Sequence, residues 1–241
     1  MQLADHHFAN KRRNYKCAHL VDTHQNHTLF FTLHCDDHAV LTPAGNPMQL
    51  QESRLAAALC AEWDGVEKQL DPLKMPYTRL AATLIDHVPA KRAQMIEDVL
   101  ALADGDMLRY HNPANQALYK KQQTEWQPIL HETEWQLKIE LPICLDLSLG
   151  VLDDSSKAII HDYVSALSDG ALFCIHEFAQ NTHSFALAYG LIKQQLNIER
   201  ALDCALLEFK VQQDLWGDDP VFEQERATLE QAIIQASMLI A

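Results

Sequence analysis

Apolar and polar positions follow two different rhythms along this chain, and the change comes near residue 51. Before it, Tyr15 to Val21 and Thr28 to His34 are short runs enriched in aromatic and β-branched residues. The polar stretch Asp22-Thr23-His24-Gln25-Asn26-His27 separates them. Cys35-Asp36-Asp37-His38 is tight enough to turn a hairpin into Ala39 to Thr42. Pro43-Ala44-Gly45-Asn46-Pro47 reads as a turn, because Pro fixes φ while Gly and Asn tolerate positive φ. Met48 to Leu50 completes a small antiparallel β domain over residues 1–51.

From Glu52 onward the period is helical. Leu55, Leu59, Trp63, Val66 and Leu70 step by three and four and share one face. Pro76 opens a helix carrying Leu80, Leu84 and Val88, and Pro89 the next, with Met95, Val99 and Leu102, which Asp104-Gly105 ends. A helix over 114–132 holds Trp126 and Ile129, with a kink expected at Pro128. Residues 136–151 alternate irregularly and read as extended. Helices are expected over 154–168, over 171–195 with a break near 182, over 198–216 and over 220–240. The fold class is α+β: a small N-terminal antiparallel β domain, then a larger all-helical domain over 52–241.

Composition agrees. The 241 residues are 48% hydrophobic and 22% charged, values of a globular chain, and only seven are Gly, which argues against a turn-rich all-β fold. A net charge of −14 disfavours nucleic acid and anionic lipid; the one basic run, Lys11-Arg12-Arg13 with Lys16, reads as a solvated arm. No apolar run reaches the ~18 residues that span a bilayer, and the N-terminus has no signal-peptide pattern. Six separate cysteines (17, 35, 60, 144, 174 and 204) read as reduced thiols.

Candidate chemistry is sparse. Seven of the thirteen His lie within the first 38 residues; His34 and His38 with Asp36 and Asp37 are metal-ligand types, although a hairpin need not converge them. His176 and His183 could share a helix face. Asp36-Asp37, Asp153-Asp154 and Asp218-Asp219 suit turns and helix caps. No P-loop, dinucleotide fingerprint, nucleophile elbow or HExxH is present, so no enzymatic signature emerges and no cofactor is expected. Two features stand out: Trp63 flanked by Glu62 and Asp64, and the 198–216 helix. There Leu206, Phe209 and Trp216 supply an expected core face, while Cys204, Glu208, Val211 and Leu215 line an opposite one that looks free for a partner.

Several segments, in order, resemble one family. Ala61-Glu62-Trp63-Asp64, Met75-Pro76-Tyr77-Thr78-Arg79-Leu80-Ala81 and Asp86 resemble an "AEWD … MPLTRLA … ID" block. Asp104, Asp106 and Leu108-Arg109-Tyr110 resemble its "D-T-D … R-Y" element, Gln122 to Pro128 its "Q … W-D-P", and Leu207-Glu208, Gln212 and Trp216-Gly217 its "L-E/D … Q … W-G". Its N-terminal "R-F-Y-K" is Arg13-Asn14-Tyr15-Lys16 here. The family is that of the assembly chaperones for the α subunit of the F₁ sector of ATP synthase.

The resemblance implies a non-enzymatic role: binding the unassembled α subunit, shielding its subunit-contact surface, and releasing it to the β subunit. It implies no cofactor, no nucleic acid, no membrane insertion and a monomer when free. The missing presequence favours a bacterial cytoplasm of alphaproteobacterial type, or the mitochondrial matrix for a processed form. Glu208, Val211, Gln212 and Leu215 are the expected partner-binding residues; Trp63, Asp64, Arg79, Asp86, Arg109, Trp126 and Trp216 are the expected structural anchors. Arg79 and Arg109 should find carboxylates among Asp86, Asp104 and Asp106. Two competing readings are a metal-dependent hydrolase built on the His-rich β unit and a generic helical scaffold.

Overall fold

The computed structural model describes residues 12–25, 27–146, 150–217 and 220–240, without the side chains of 25, 215, 216 and 220. Strands β1 (Ala18–Gln25) and β2 (Thr28–Cys35) pair along their whole length. On the other edge of β2 sit two short antiparallel strands, β3 (His38–Ala39) and β4 (Gln49–Leu50). β1 runs through the polar residues 22–25 because β2 supplies a partner for each of them, a long-range effect that composition does not carry. The predicted hairpin turn is formed, with Asp36 at φ 51°. The Thr42–Asn46 turn closes with Asn46 O accepting from Thr42 N at 2.7 Å.

Helices follow in the order α1 (Ser53–Asp64), α2 (Pro76–Asp86), α3 (Val88–Asp104), α4 (Gln116–Glu125), α5 (Gln127–Leu137), α6 (Asp154–Ser165), α7 (Asp169–Thr182), α8 (Phe185–Ile192), α9 (Ile198–Ala205), α10 (Leu207–Trp216) and α11 (Pro220–Ser237). Two expected helices divide. The kink at Pro128 is a full break at Trp126, since Pro128 has no N–H to continue the ladder. The 198–216 helix breaks at Leu206 (φ −103°, ψ 15°), with Leu206 and Leu207 both buried. No Gly or Pro marks this break; tertiary burial of two consecutive leucines does. α1 stops at Asp64, leaving Val66 and Leu70 outside it. Residues 138–146 are irregular and extended, starting from Lys138 in the left-handed region, and form only one bridge, Cys144 with Tyr110.

The chain forms two compact units, one of residues up to Arg92 together with the end from Ser237, the other Ala93–Ala236. The change of period at 51 thus marks where the strands end, while α1 and α2 lie in the unit that holds the sheet. That unit's core joins Leu33, Met48 and Leu50 of the sheet region to Leu55, Leu59 and Trp63 of α1. The core of the other unit is α7 and α8, whose Leu172, Ile175, Phe178, Phe185 and Leu187 are all fully or nearly fully buried. α8 is apolar all round and is accordingly buried all round.

Candidate partner-binding site

In the first unit, the Glu62-Trp63-Asp64 motif is a lock between α1 and α2. Trp63 is buried, and its Nε1–H donates to Thr78 Oγ1 at 2.8 Å. Thr78 in turn donates its hydroxyl to Glu62 Oε2 at 2.5 Å, and the Tyr77 and Thr78 amides donate to the same carboxylate at 2.9 and 2.8 Å. Glu62 therefore caps the first turn of α2 from another helix, a role for the acid that its place in the sequence does not announce. Burial raises its pKa; the bonds from Thr78 and Tyr77 oppose the rise. Tyr15 Oη donates to Trp63 O at 2.7 Å, and its ring lies 5.9 Å from the indole. Exposed Asp64 accepts from the Ala18 amide at 3.3 Å and faces the Arg13 guanidinium at 3.7 Å.

Asp86 holds the Thr42–Asn46 turn, accepting from Thr42 Oγ1 at 2.7 Å, Asn46 Nδ2 at 2.9 Å and the Ala44 amide at 3.1 Å. It is not the counter-ion of Arg79, whose Nε is buried without a hydrogen bond.

Arg109 is fully buried, as an anchor should be, but backbone carbonyls hold it in place of a carboxylate. Nη1 donates to Asp104 O at 2.8 Å and Nε to Pro142 O at 3.1 Å. The Asp104 carboxylate instead meets Lys157 Nζ at 2.8 Å and the Leu152 amide at 2.7 Å. Burial works to raise the Asp104 pKa, but these bonds outweigh it and hold the group below its ordinary value. Asp106, also fully buried, accepts from the amides of Leu108 at 2.9 Å and Ala186 at 2.8 Å, and burial pushes it up to about 6. The expected pairing of Arg109 with Asp104 or Asp106 fails here for one reason. Carbonyls at the end of α3 and in the 138–146 segment reach the guanidinium first, while both carboxylates serve backbone N–H groups.

The candidate contact face lies on α10. Glu208 is half-buried, and its Oε1 accepts from Gln122 Nε2 of α4 at 2.9 Å. Gln122 is itself fully buried and also fixes the 110–112 loop, accepting from the Asn112 amide at 2.8 Å. Burial raises the Glu208 pKa, and the Gln122 bond opposes this. The two cations nearest to Glu208 in sequence pair elsewhere: Arg200 binds Glu125 and Lys210 lies 3.9 Å from Asp203. Oε2 of Glu208 has no hydrogen bond among the described residues, so one carboxylate oxygen is open to an outside donor.

The rest of the expected face is corrected. Cys204 and Val211 are buried, Cys204 beside Trp126, whose Nε1–H donates to Cys204 O at 3.0 Å. Phe209, expected in the core, is 47% exposed and Gln212 is exposed. Beyond the break at Leu206, Phe209 of the expected core stripe faces outward while Leu206 itself stays buried. Glu208, Phe209 and Gln212 form the exposed edge, with Gln212 one turn beyond both. The side chains of Leu215 and Trp216, and the Asp218-Asp219 pair, lie outside the described residues. Gln122 is the residue sequence reasoning passed over as a site member; its place four residues before Trp126 was the available signal.

His34 and His38 do not converge, although the His19 and His34 rings lie 5.8 Å apart on paired strands. His34 lies opposite Ala39 and His38 opposite Cys35, so the two histidines alternate across the sheet. Among the described residues no three His, Cys, Asp or Glu side chains are grouped to hold a metal. His176 pairs with Asp98 at 3.3 Å, while His183 is exposed in the left-handed cap of α7. Among the described residues no helix is long and apolar enough to cross a membrane.

Comparison with known proteins decides the family, because the model of the ATP12 chaperone proteins matches residues 12–134, just over half of the chain. The chain belongs to the ATP12 chaperone family. Protein atp12, mitochondrial, of Schizosaccharomyces pombe is 22% identical over 218 residues, spanning 85% of this chain and 75% of its own length. The crystal structure of Atp12 from Paracoccus denitrificans has the same fold, with a TM-score of 0.87 at 22% identity over 95% of this chain and 96% of its own. The Atu1473 protein of Agrobacterium tumefaciens gives a TM-score of 0.83 at 25% identity, over 95% and 85%. Membership of the ATP12 family makes this a chaperone of ATP synthase assembly, and a sheet at the N-terminus followed by helices is the family's architecture.

Proposed function

We propose that this ATP12-family chaperone binds the unassembled α subunit of ATP synthase and shields its subunit-contact surface until the β subunit replaces it. The family match over residues 12–134 carries the reading, and the ordered motifs from Tyr15 to Trp216 support it. The Glu208–Phe209–Gln212 edge supplies what such a contact needs: an exposed aromatic beside a half-buried carboxylate with a free acceptor oxygen. Apolar contact there would give affinity and the carboxylate would give register, through a charge-assisted bond from an Arg or amide of the incoming subunit. A stable complex would bury about 1,200–2,000 Å² in total. The work is binding and release, with no nucleotide, metal or bond-making step, in whichever compartment assembles ATP synthase: a bacterial cytoplasm or the mitochondrial matrix.

Capture from a lysate holding both subunits tests the specificity; the chain should retain α over β, and equal retention would favour a generic scaffold. Glu208→Gln keeps the shape and removes the charge. It should melt like the parent yet fail to support assembly of the ATP synthase head in cells that depend on it. Normal assembly would remove Glu208 from the contact, and a large loss of melting temperature would make it a structural residue.

A further inference from the structure

The buried guanidinium of Arg109 is left with one donor unused. Its Nε and Nη1 are taken by the carbonyls of Pro142 and Asp104, but Nη2 is buried with no hydrogen bond at all. A buried charged donor in that state costs free energy and marks a place where an acceptor fits. The group beside it is a thiol. A β-carbon on Gly150 would stand 2.1 Å from Cys144 Sγ and 3.0 Å from Arg109 Nη2, so sulfur and nitrogen border the same empty β-position of this glycine. The backbone on either side holds the sulfur in place. The Cys144 amide donates to Arg109 O at 2.7 Å, and Cys144 O accepts from the His111 amide at 2.9 Å. The Gly150 amide donates to Tyr110 Oη at 3.3 Å. Cys144 itself is half-buried, and its thiol makes only a long contact, to Pro142 O at 3.8 Å.

We infer that Cys144 is a site of reversible oxidation by peroxide, with Arg109 Nη2 as the preformed donor to the oxygen that the sulfur gains. The thiol proton passes to water, the sulfur attacks one peroxide oxygen, and the O–O bond breaks. The departing hydroxide takes up a proton and leaves as water. Sulfur loses two electrons, peroxide gains them, and the product is a cysteine sulfenic acid. Negative charge grows on oxygen during this step and remains on the sulfenate form, and a fixed cationic N–H stabilises both. None of the other five thiols combines access with such a donor. Cys174 and Cys204 are buried, and burial pushes the Cys35 thiol up to about 11 and raises that of Cys60. Cys17 is the stringent comparison, because it is the fully exposed one.

The test treats the full chain with dilute hydrogen peroxide in the presence of dimedone, which traps sulfenic acids, and follows each cysteine by peptide mass spectrometry. Exposure alone predicts that Cys17 reacts first. The inference predicts that Cys144 is labelled about ten times faster than Cys17. Labelling of Cys17 at an equal or greater rate overturns it. Arg109→Lys keeps a charge but loses the planar fork; where it melts as the parent does, Cys144 should slow to the rate of Cys17, and an unchanged rate overturns the role of Nη2. Should that variant not fold, the ranking in the parent chain decides.

Discussion

Replacing Trp63 with Phe isolates the lock between α1 and α2. The substitution keeps an aromatic ring against Tyr15 but deletes the Nε1–H that donates to Thr78 Oγ1. Thr78 keeps its donor bond to Glu62, so one lone pair, and not the whole hydroxyl, is left unsatisfied; that loss is about 1 kcal/mol. The space left by the smaller ring in a nearly sealed site adds about 1–2 kcal/mol. A total of about 2–3 kcal/mol lowers the melting temperature by roughly 5–10 °C for a chain of this size. Urea unfolding of the parent, Trp63→Phe, Thr78→Val and the double variant separates the two parts. The cycle should return a coupling near 1 kcal/mol, the bond itself. A coupling of zero, or Trp63→Phe within about 0.5 kcal/mol of the parent, would show that the lock contributes nothing. Trp63→Arg is the harsher form: it buries an unpaired charge, costs about 3–5 kcal/mol, and should yield insoluble protein.

Asp106 binds its proton more tightly in the folded chain, near 6, than an unfolded Asp near 4. Its contribution to stability is therefore fully present below about pH 4 and is lost as pH rises through 6, on the order of 2–3 kcal/mol. The stability difference between parent and Asp106→Asn should shift against the parent over that interval, and a flat difference by urea titration would refute the burial argument. Gly150→Ala sets a β-carbon 2.1 Å from Cys144 Sγ, so it should destabilise by about 1–3 kcal/mol and be relieved by Cys144→Ala; melting of the double variant checks this. Phe209→Ser removes an exposed ring and should leave the melting temperature within about 2 °C while weakening α-subunit capture severalfold. Unchanged capture would take Phe209 out of the contact.

The strands and most helix starts were readable because local chemistry decides them. Pro76 and Asp153 mark their helices as sequence rules say, and Ser184 does so after the left-handed His183. What escaped was decided at a distance. β1 is longer than its apolar run because β2 pairs with the polar part. The break at Leu206 has no turn residue to announce it, and past it Val211 is buried and Phe209 exposed, the reverse of the expected placing. Trp63, Arg109 and Trp126 are all buried. Their partners were not readable, since a buried Arg that binds carbonyls and a Glu that caps another helix leave no spacing signature. Glu208 stood out by its apolar neighbours, yet the glutamine that holds it comes from 86 residues away.

The last residues of the chain belong with the first unit, where Arg54 Nη1 reaches Ile240 O at 3.3 Å. The sheet unit is thus completed by residues that the whole of the other unit separates from it in sequence. Removing only residues 238–241 should loosen the sheet unit while sparing α7 and α8, which lie in the other unit. Protease sensitivity of the β1–β2 hairpin in such a truncated chain would report that loosening directly.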